Sequence, residues 1–252
     1  MSAGKSRYAV QTAVSAQEID GLQRFRAHCF GLKTARDADQ FDEICTHIMI
    51  NRRDSGQLVG CFRMLPLEQG EIARSYAAQF YELSALENFQ GRLVELGRFC
   101  LHPAERDPDV LRLALAAMTA YVDEQDIAML FGCSSFSGTE TQQYLDAFAM
   151  LKARHLGPKR WLPRVKAPDV FRFAAQLRRR PDLKMAMRHM PPLLRTYLLM
   201  GGWVSDHAVV DQHMKTLHVF TGVEIGMIPP ARRRLLRALV QSGPPGGVLQ
   251  AR

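Results

Sequence analysis

Three arginines, two aspartates and one glutamate have side-chain types and spacings suited to acid–base chemistry and to gripping small anions. Arg26 and Phe30 lie one helical turn apart, followed by Asp39-Gln40-Phe41-Asp42, Arg63 and Glu95-Leu96-Gly97-Arg98. In a regular strand Glu95 and Arg98 point to opposite faces, because side chains alternate with period two. A bulge at Gly97 inserts one residue and brings both onto the same face. A bulged central strand also splays from its neighbour and frees a backbone N–H, which would put an oxyanion donor beside a carboxylate base. Spacing alone fits an ordinary structural ion pair equally well. Other motifs fall away. Gly132-Cys-Ser-Ser-Phe136 has Phe where a nucleophile elbow needs Gly, and the chain has neither a P-loop nor GxGxxG. His207, Asp211 and His213 have no second pair at metal-site spacing, so a structural or solvated role is expected and no metal.

These residues need elements to hold them. Residues 7–14 alternate as a strand, and Ser15 with Glu18 makes a capping box that opens a helix running to Gly31. Residues 44–50 and 57–65 form a hairpin around Asp54-Ser55-Gly56. A helical pattern covers 71–87, a strand interrupted by Gly97 covers 92–101, and Asp107-Pro108 starts a largely buried helix. Residues 127–133 make a short apolar run of the kind found in central strands. A helix over 139–154, a basic helix over 168–180, a helix from Pro192 to Met200 and a strand near 216–225 complete the chain. Residues 242–252 are expected to be a flexible tail. The order is mixed α/β with an early antiparallel hairpin, and residues 1–241 read as one domain with a basic part from 152 onward.

The chain has 252 residues, 47% of them hydrophobic and 23% charged, and a net charge of +8. This is a globular composition, which excludes disordered, collagenous and coiled-coil classes. Five cysteines without CxxC spacing point to neither a disulfide framework nor a structural zinc site, so a reducing compartment is expected. No signal peptide or membrane-spanning run is evident. The charge is uneven. Residues 1–151 carry 14 basic and 20 acidic side chains, residues 152–190 carry 12 and 2, and residues 191–252 carry 7 and 3. A basic block of this kind meets nucleic acid, an anionic membrane or an acidic protein. Aromatics for nucleic-acid stacking are thin there, with only Trp161, Phe171 and Phe173, and no reading motif is present.

The series from Arg26 through Asp39, Asp42 and Arg63 to Glu95 and Arg98 resembles the acyl-homoserine-lactone synthases, which are GNAT-like acyltransferases, although the Trp typical of that series has no counterpart here. A closer resemblance, over roughly residues 20–225, is to the ornithine N-acyltransferases. It is carried by ELGRFCLHPAERD (95–107), LFGCSSFSGT (130–139) and PPLLRTYLLMGGWVSDHAVVDQHMKTLHVF (191–220). The resemblance implies a GNAT-like fold: a central mixed, mostly antiparallel sheet with a bulged, splayed central strand, flanked by helices. It implies transfer of a 3-hydroxyacyl chain from acyl carrier protein to the α-amine of ornithine, giving lyso-ornithine lipid. The Gly-rich pyrophosphate loop of coenzyme-A-using relatives is replaced by HPAERDPDV (102–110). A carrier-bound acyl-phosphopantetheine co-substrate, with no resident cofactor, is consistent with that replacement.

On this reading Glu95 is the candidate base, and backbone N–H groups around Phe99–Leu101 hold the oxyanion. Arg98, Arg63 and Arg26 position carboxylate or phosphate groups. Asp39 and Asp42 pair with those arginines or bind a cationic side chain. Phe30, Ser134 and Ser135 are further substrate-binding candidates, and Arg106 stands where a phosphopantetheine phosphate approaches a helix N-terminus. Lys152, Arg154, Lys159, Arg160, Arg164 and Lys166 form a docking patch for the acidic carrier. The 168–180 helix pairs Val170, Phe173, Ala174 and Leu177 with Arg172 and Arg178–Arg180, a pattern met both in membrane-surface helices and in helices packed on a core. A cytoplasmic protein, peripheral at the inner membrane, is expected, with an acyl lactone synthase and a basic nucleic-acid-binding protein as alternatives.

Overall fold

The computed structural model describes residues 7–242. Residues 1–6 and the part of the expected tail beyond Ser242 lie outside the described residues. Strand β1 (Tyr8–Ala13) leads into helix α1 (Ala16–Cys29), where the capping box is formed: Glu18 N–H donates to Ser15 Oγ, and Glu18 Oε2 accepts from Ser15 N–H at 2.9 Å. The hairpin is present as the antiparallel pair β2 (Thr46–Arg52) and β3 (Leu58–Leu67), with Gly56 in its turn at φ +70.

The helix expected over 71–87 is not formed. Three short 3-10 turns (Ile72–Arg74, Ala77–Gln79, Ser84–Leu86) and strand β4 (Tyr81–Glu82) stand in its place. Ser75 is the local cause. Its hydroxyl donates to the Ile72 carbonyl at 2.7 Å and accepts from Ala78 N–H at 3.2 Å, giving the backbone an alternative to the helical ladder. Strand β5 (Arg92–Leu101) follows, and then α2 (Pro108–Glu124), with the Asp107 side chain accepting from Asp109 N–H. Strand β6 (Ile127–Ser137) runs past its expected end at Cys133. The next helix starts late, as a 3-10 turn and then α3 (Leu145–Arg154).

Strand β7 (Arg164–Val165) pairs with β4. The basic helix expected over 168–180 is replaced by strand β8 (Val170–Phe171) and the single turn α4 (Phe173–Gln176). Val170 and Phe171 are taken up as a sheet edge against Val209 and Ala208, while Phe173 is fully buried and stacked on Phe148. Ala174 and Leu177 pack against the same core, so the apolar stripe faces the protein interior and not a membrane. Helix α5 (Leu183–His189), capped by Asp182, was not expected. Helix α6 (Pro192–Leu199) follows the expected pattern and stops at Gly201, φ +85. The chain ends with β9 (Trp203–Val204), β10 (Ala208–Asp211), the expected β11 (Thr216–Glu224) and an unexpected α7 (Pro230–Ser242).

The described residues pack as two compact units: residues 7–65, 96–127 and 230–242 form the first, and residues 66–95 and 128–229 the second. In the first, the strand order is β1-β2-β3-β5, Leu22 of α1 is buried with Met49, Cys61 and Cys100, and Arg237 of α7 pairs with Asp123 of α2. In the second, the order is β6-β11-β10-β8, with β9 on β11 and a core around Phe136, Phe148, Phe173, Leu194 and Val219. The pairs β1·β2, β2·β3, β6·β11 and β10·β11 are all antiparallel, so the fold is mixed α/β with mostly antiparallel strands flanked by helices. Gly222 makes room for the Trp203 indole, since a Cβ there would stand 2.6 Å from the ring. Among the described residues, no helix is long and apolar enough to cross a membrane.

Candidate functional site

In the first unit the arginines and aspartates close into a ring of alternating charge. Arg26, on α1, reaches Asp42 through Nη1 at 2.9 Å and Nη2 at 2.6 Å, and its Nε stands 3.0 Å from Asp37 Oδ2. Arg63, on β3, donates from Nη1 to Asp42 Oδ1 at 2.7 Å and grips Asp39 with both Nη atoms, at 2.6 and 2.9 Å. Arg98, on β5, donates to Asp37 at 2.8 Å and to Asp39 at 2.9 Å. Each arginine therefore bridges two aspartates and each aspartate two arginines. Asp39 also caps the 3-10 turn Gln40–Glu43, accepting from Phe41 N–H, so the turn that fixes its carboxylate fixes Asp42 as well. Gln23 adds a further bond to Asp42 at 3.0 Å.

Arg26 and Arg63 are buried, with side chains 1% and 3% exposed, while Asp39 at 22% forms the open edge of the ring. Burial alone would raise the Asp42 carboxyl. Hydrogen bonds and charge from Arg26, with the charge of Arg63, overcome this and hold it well below the usual carboxylate range. Asp39 is lowered on the same balance, burial being outweighed by Arg63 and Arg98. Burial pushes His47 down, so its ring is neutral, with Nε2 donating to the Asp42 carbonyl at 2.9 Å. Of the two roles expected for Asp39 and Asp42, pairing with the arginines is the one formed here. Asp37 completes the ring and was missed by sequence reasoning; its two-residue offset from Asp39, which sets both on one side of an extended chain, was the available signal.

Strand β5 carries the second feature. Next to Gly97, Arg98 has φ +52, a left-handed conformation that a side chain with a Cβ adopts at a cost. Its guanidinium contacts with Asp37 and Asp39 hold it there. Gly97 has a different role. The Arg63 side chain lies across it, 3.4 Å from where a Cβ would be.

In the second unit Glu95 is buried, 5% exposed. Its Oε2 accepts from Tyr76 N–H and its Oε1 from Ala77 N–H, both at 2.7 Å. Two N–H donors on one carboxylate favour its charged form and fix its orientation. The turn that presents them is the one nucleated by Ser75; Ser75, Tyr76 and Ala77 were also missed, because their link to Glu95 is made only in the folded chain.

The other candidates fall in varied surroundings. Phe99 stacks on Phe62 with centroids 5.8 Å apart, and Leu101 ends β5. Phe30 caps α1 and packs with Cys29 against the core beneath it. Ser134 accepts a hydrogen bond from the Thr221 hydroxyl at 2.9 Å, and Ser135 is exposed on the same strand. Arg106 is exposed and folds back onto the carbonyls of Pro103 and Glu105, while the Asp107 carboxylate already occupies the N-terminus of α2. Lys152 and Lys166 donate at 2.6 Å to the carbonyls of Leu177 and Ala78. Arg164 lies 3.6 Å from Glu82, and Arg160 covers the Trp161 ring. Arg154, Lys159, Arg160, Arg164 and Lys166 are all exposed, Arg164 most plainly, with its side chain 75% accessible. Trp161 packs edge-on against Phe89, and Phe173 is buried. His207 is fully buried and His213 exposed.

A family model described as an acetyltransferase (GNAT) domain matches residues 22–116. An L-ornithine N(alpha)-acyltransferase of Rhodobacter capsulatus is 30% identical over 236 residues, 87% of this chain and 90% of that protein. Its counterpart in Brucella abortus is 32% identical over 198 residues, covering 73% of this chain and 69% of its own. An acyl-homoserine-lactone synthase of Agrobacterium fabrum is 28% identical over 118 residues, 42% of this chain and 56% of that protein.

Proposed function

The chain belongs to the L-ornithine N(alpha)-acyltransferase family, with a GNAT-like fold, and from that premise we propose that it moves a 3-hydroxyacyl chain from an acyl carrier protein thioester to the α-amine of ornithine, giving lyso-ornithine lipid. An ammonium group cannot attack a thioester, so a proton must leave the amine, and amine and carbonyl must be held in attack geometry. Glu95 takes that proton through one water. Backbone N–H groups between Phe99 and Leu101 hold the oxyanion of the tetrahedral intermediate; loss of one such donor typically costs about 2.7–4 kcal/mol of barrier. When the intermediate collapses, the carbonyl re-forms and the phosphopantetheine thiolate leaves, taking up a proton.

The charge ring holds the 37–43 segment in place, with the open edge at Asp39 and Arg98 facing polar substrate groups. Ser134 and Ser135 supply hydroxyls. Arg154, Lys159 and Arg160, with Arg106, meet the acidic carrier. The co-substrate is the carrier's acyl-phosphopantetheine, and the enzyme works in the cytoplasm, peripheral to the inner membrane into which its product partitions.

The observation that most supports this chemistry is the buried Glu95 carboxylate, fixed by two 2.7 Å N–H bonds on the strand that turns left-handed at Arg98. Mass spectrometry of lipids from cells expressing the protein provides the test. An N-acylated ornithine carrying a 3-hydroxyacyl chain is expected. An acyl lactone derived from S-adenosylmethionine, or no new acylated amino acid, would overturn the proposal.

A further inference from the structure

Helix α5, in the second unit, is held in place by two carboxylates. Asp182 caps it, accepting from the N–H groups of Lys184 and Met185 at 2.9 and 3.1 Å. Asp146 of α3 ties down the chain before it, accepting from Asp182 N–H at 3.0 Å and from Arg179 Nη2 at 2.7 Å. Both acids are thus engaged in shaping the segment. Ala186 and Met190, four residues apart, are buried in the core with Phe148 and Leu194 and fix which side of the helix faces inward.

The opposite side has a different composition. Leu183 and Met187, also one turn apart, remain 44% and 41% exposed, and the exposed cations Lys184 and Arg188 each follow one residue later. Arg178 and Arg180 are exposed just before the helix. Among the described residues, none of these four cations is within ion-pair distance of a carboxylate, whereas Arg179 is paired with Asp146. Single exposed apolar residues are ordinary, but an apolar pair set among uncompensated cations marks an interaction surface. Charge alone would suit any polyanion, and the apolar pair narrows the choice. Nucleic-acid phosphates gain nothing from Leu183 and Met187. A bilayer takes apolar tips below its headgroups while long cationic side chains reach the anionic ones.

We infer that the outer face of α5, with Arg178 and Arg180, is a docking surface for an anionic lipid bilayer. Leu183 and Met187 enter the headgroup boundary, and Arg178, Arg180, Lys184 and Arg188 pair with lipid phosphates. The inference rests on the peripheral location proposed above and names the element that provides it. It uses none of the residues assigned to the carrier protein.

The test is sedimentation of the full-length protein, without substrates, with vesicles of phosphatidylcholine alone and of equimolar phosphatidylcholine and phosphatidylglycerol. Wild type should bind the anionic vesicles at least about tenfold more tightly than the neutral ones and be released by salt. Arg178→Glu, Arg180→Glu and Arg188→Glu together should lower that affinity at least about tenfold. Leu183→Ser with Met187→Ser should weaken it about fivefold with the charge unchanged. Reversal of Arg154, Lys159 and Arg160 to Glu changes the net charge equally and should leave vesicle binding within about threefold of wild type. Circular dichroism verifies that each variant is folded. Wild type that binds neither vesicle overturns the peripheral location and the inference with it. Binding that survives the α5 substitutions, or that falls equally in the Arg154 set, overturns the inference alone. Variants of α5 that lose affinity for acyl carrier protein and keep it for vesicles would assign the face to the carrier and overturn the inference as well.

Discussion

Replacing Asp42 by Asn removes one charge from the ring while keeping nearly the same shape. Asp42 accepts from Arg26 Nη1 and Nη2, Arg63 Nη1 and Gln23 Nε2 at 2.6–3.0 Å. An amide retains one acceptor oxygen and turns an NH2 group toward guanidinium donors, so Arg26 and Arg63 are each left short of a charged partner while buried. Breaking a buried ion pair by removing one member costs about 3–5 kcal/mol. That is a large share of the ~5–15 kcal/mol that holds a typical domain together. For a chain of this size it corresponds to a fall in Tm of about 6–20 °C. The measurement is thermal unfolding of Asp42→Asn followed by circular dichroism, with the exposed neighbour Glu43→Gln as a control expected to change stability by less than about 0.5 kcal/mol. The carboxyls of Asp42 and Asp39 are lowered in the folded state. Their contribution is therefore full above the unfolded aspartate value near 3.9 and is lost as pH falls below it toward the lowered folded values. Wild type should accordingly lose stability below about pH 4 more steeply than Asp42→Asn. A Tm loss for Asp42→Asn no larger than the control's, or identical acid slopes, would refute the view that the ring is a stabilising unit.

Three further outcomes follow from the geometry. Ser75→Ala removes the hydroxyl that shapes the turn presenting Tyr76 and Ala77 N–H to Glu95; kcat should fall roughly ten- to a hundredfold with KM little changed, and an unchanged kcat speaks against the turn as a positioning device. Gly222→Ala drives a Cβ to 2.6 Å from the Trp203 ring, so calorimetry should show about 1–3 kcal/mol of destabilisation together with a shift in tryptophan emission. Reversing Arg154, Lys159 and Arg160 to Glu should lower kcat/KM with the carrier-bound donor at least tenfold at low salt and leave kcat unaltered, with the gap closing as salt is added; an effect independent of salt argues for a different docking face.

Elements whose cause is local were legible in the residues themselves. The Ser15–Glu18 box, the hairpin at Gly56 and the proline-started helices at Pro108 and Pro192 each carry their own signal, and each is where it was expected. Two of the failures have a cause that lies at least partly elsewhere in the chain. The 71–87 pattern looks helical until Glu95 claims two of its N–H groups, and Val170 and Phe171 look like part of an amphipathic helix until Ala208 and Val209 supply a sheet edge. Helix α7 is the exception: Leu235, Leu236, Leu239 and Val240 recur at helical spacing among Arg232, Arg233, Arg234 and Arg237, so its signal was present in the residues and was not read. In the candidate site, residue type and spacing identified Arg26, Asp39, Asp42, Arg63, Glu95 and Arg98. The closure of the ring through Asp37 depends on a loop, a helix and two strands meeting, which no short window contains.

The most direct test of the central claim is acyl transfer with purified components: 3-hydroxyacyl carrier protein, L-ornithine, and either the wild-type enzyme or Glu95→Gln, with the products resolved by tandem mass spectrometry. The account predicts ornithine acylated on its α-nitrogen by wild type, and no turnover by a Glu95→Gln protein whose circular dichroism matches wild type. Acylation at the same rate by Glu95→Gln, or no acylated ornithine from wild type, would contradict it.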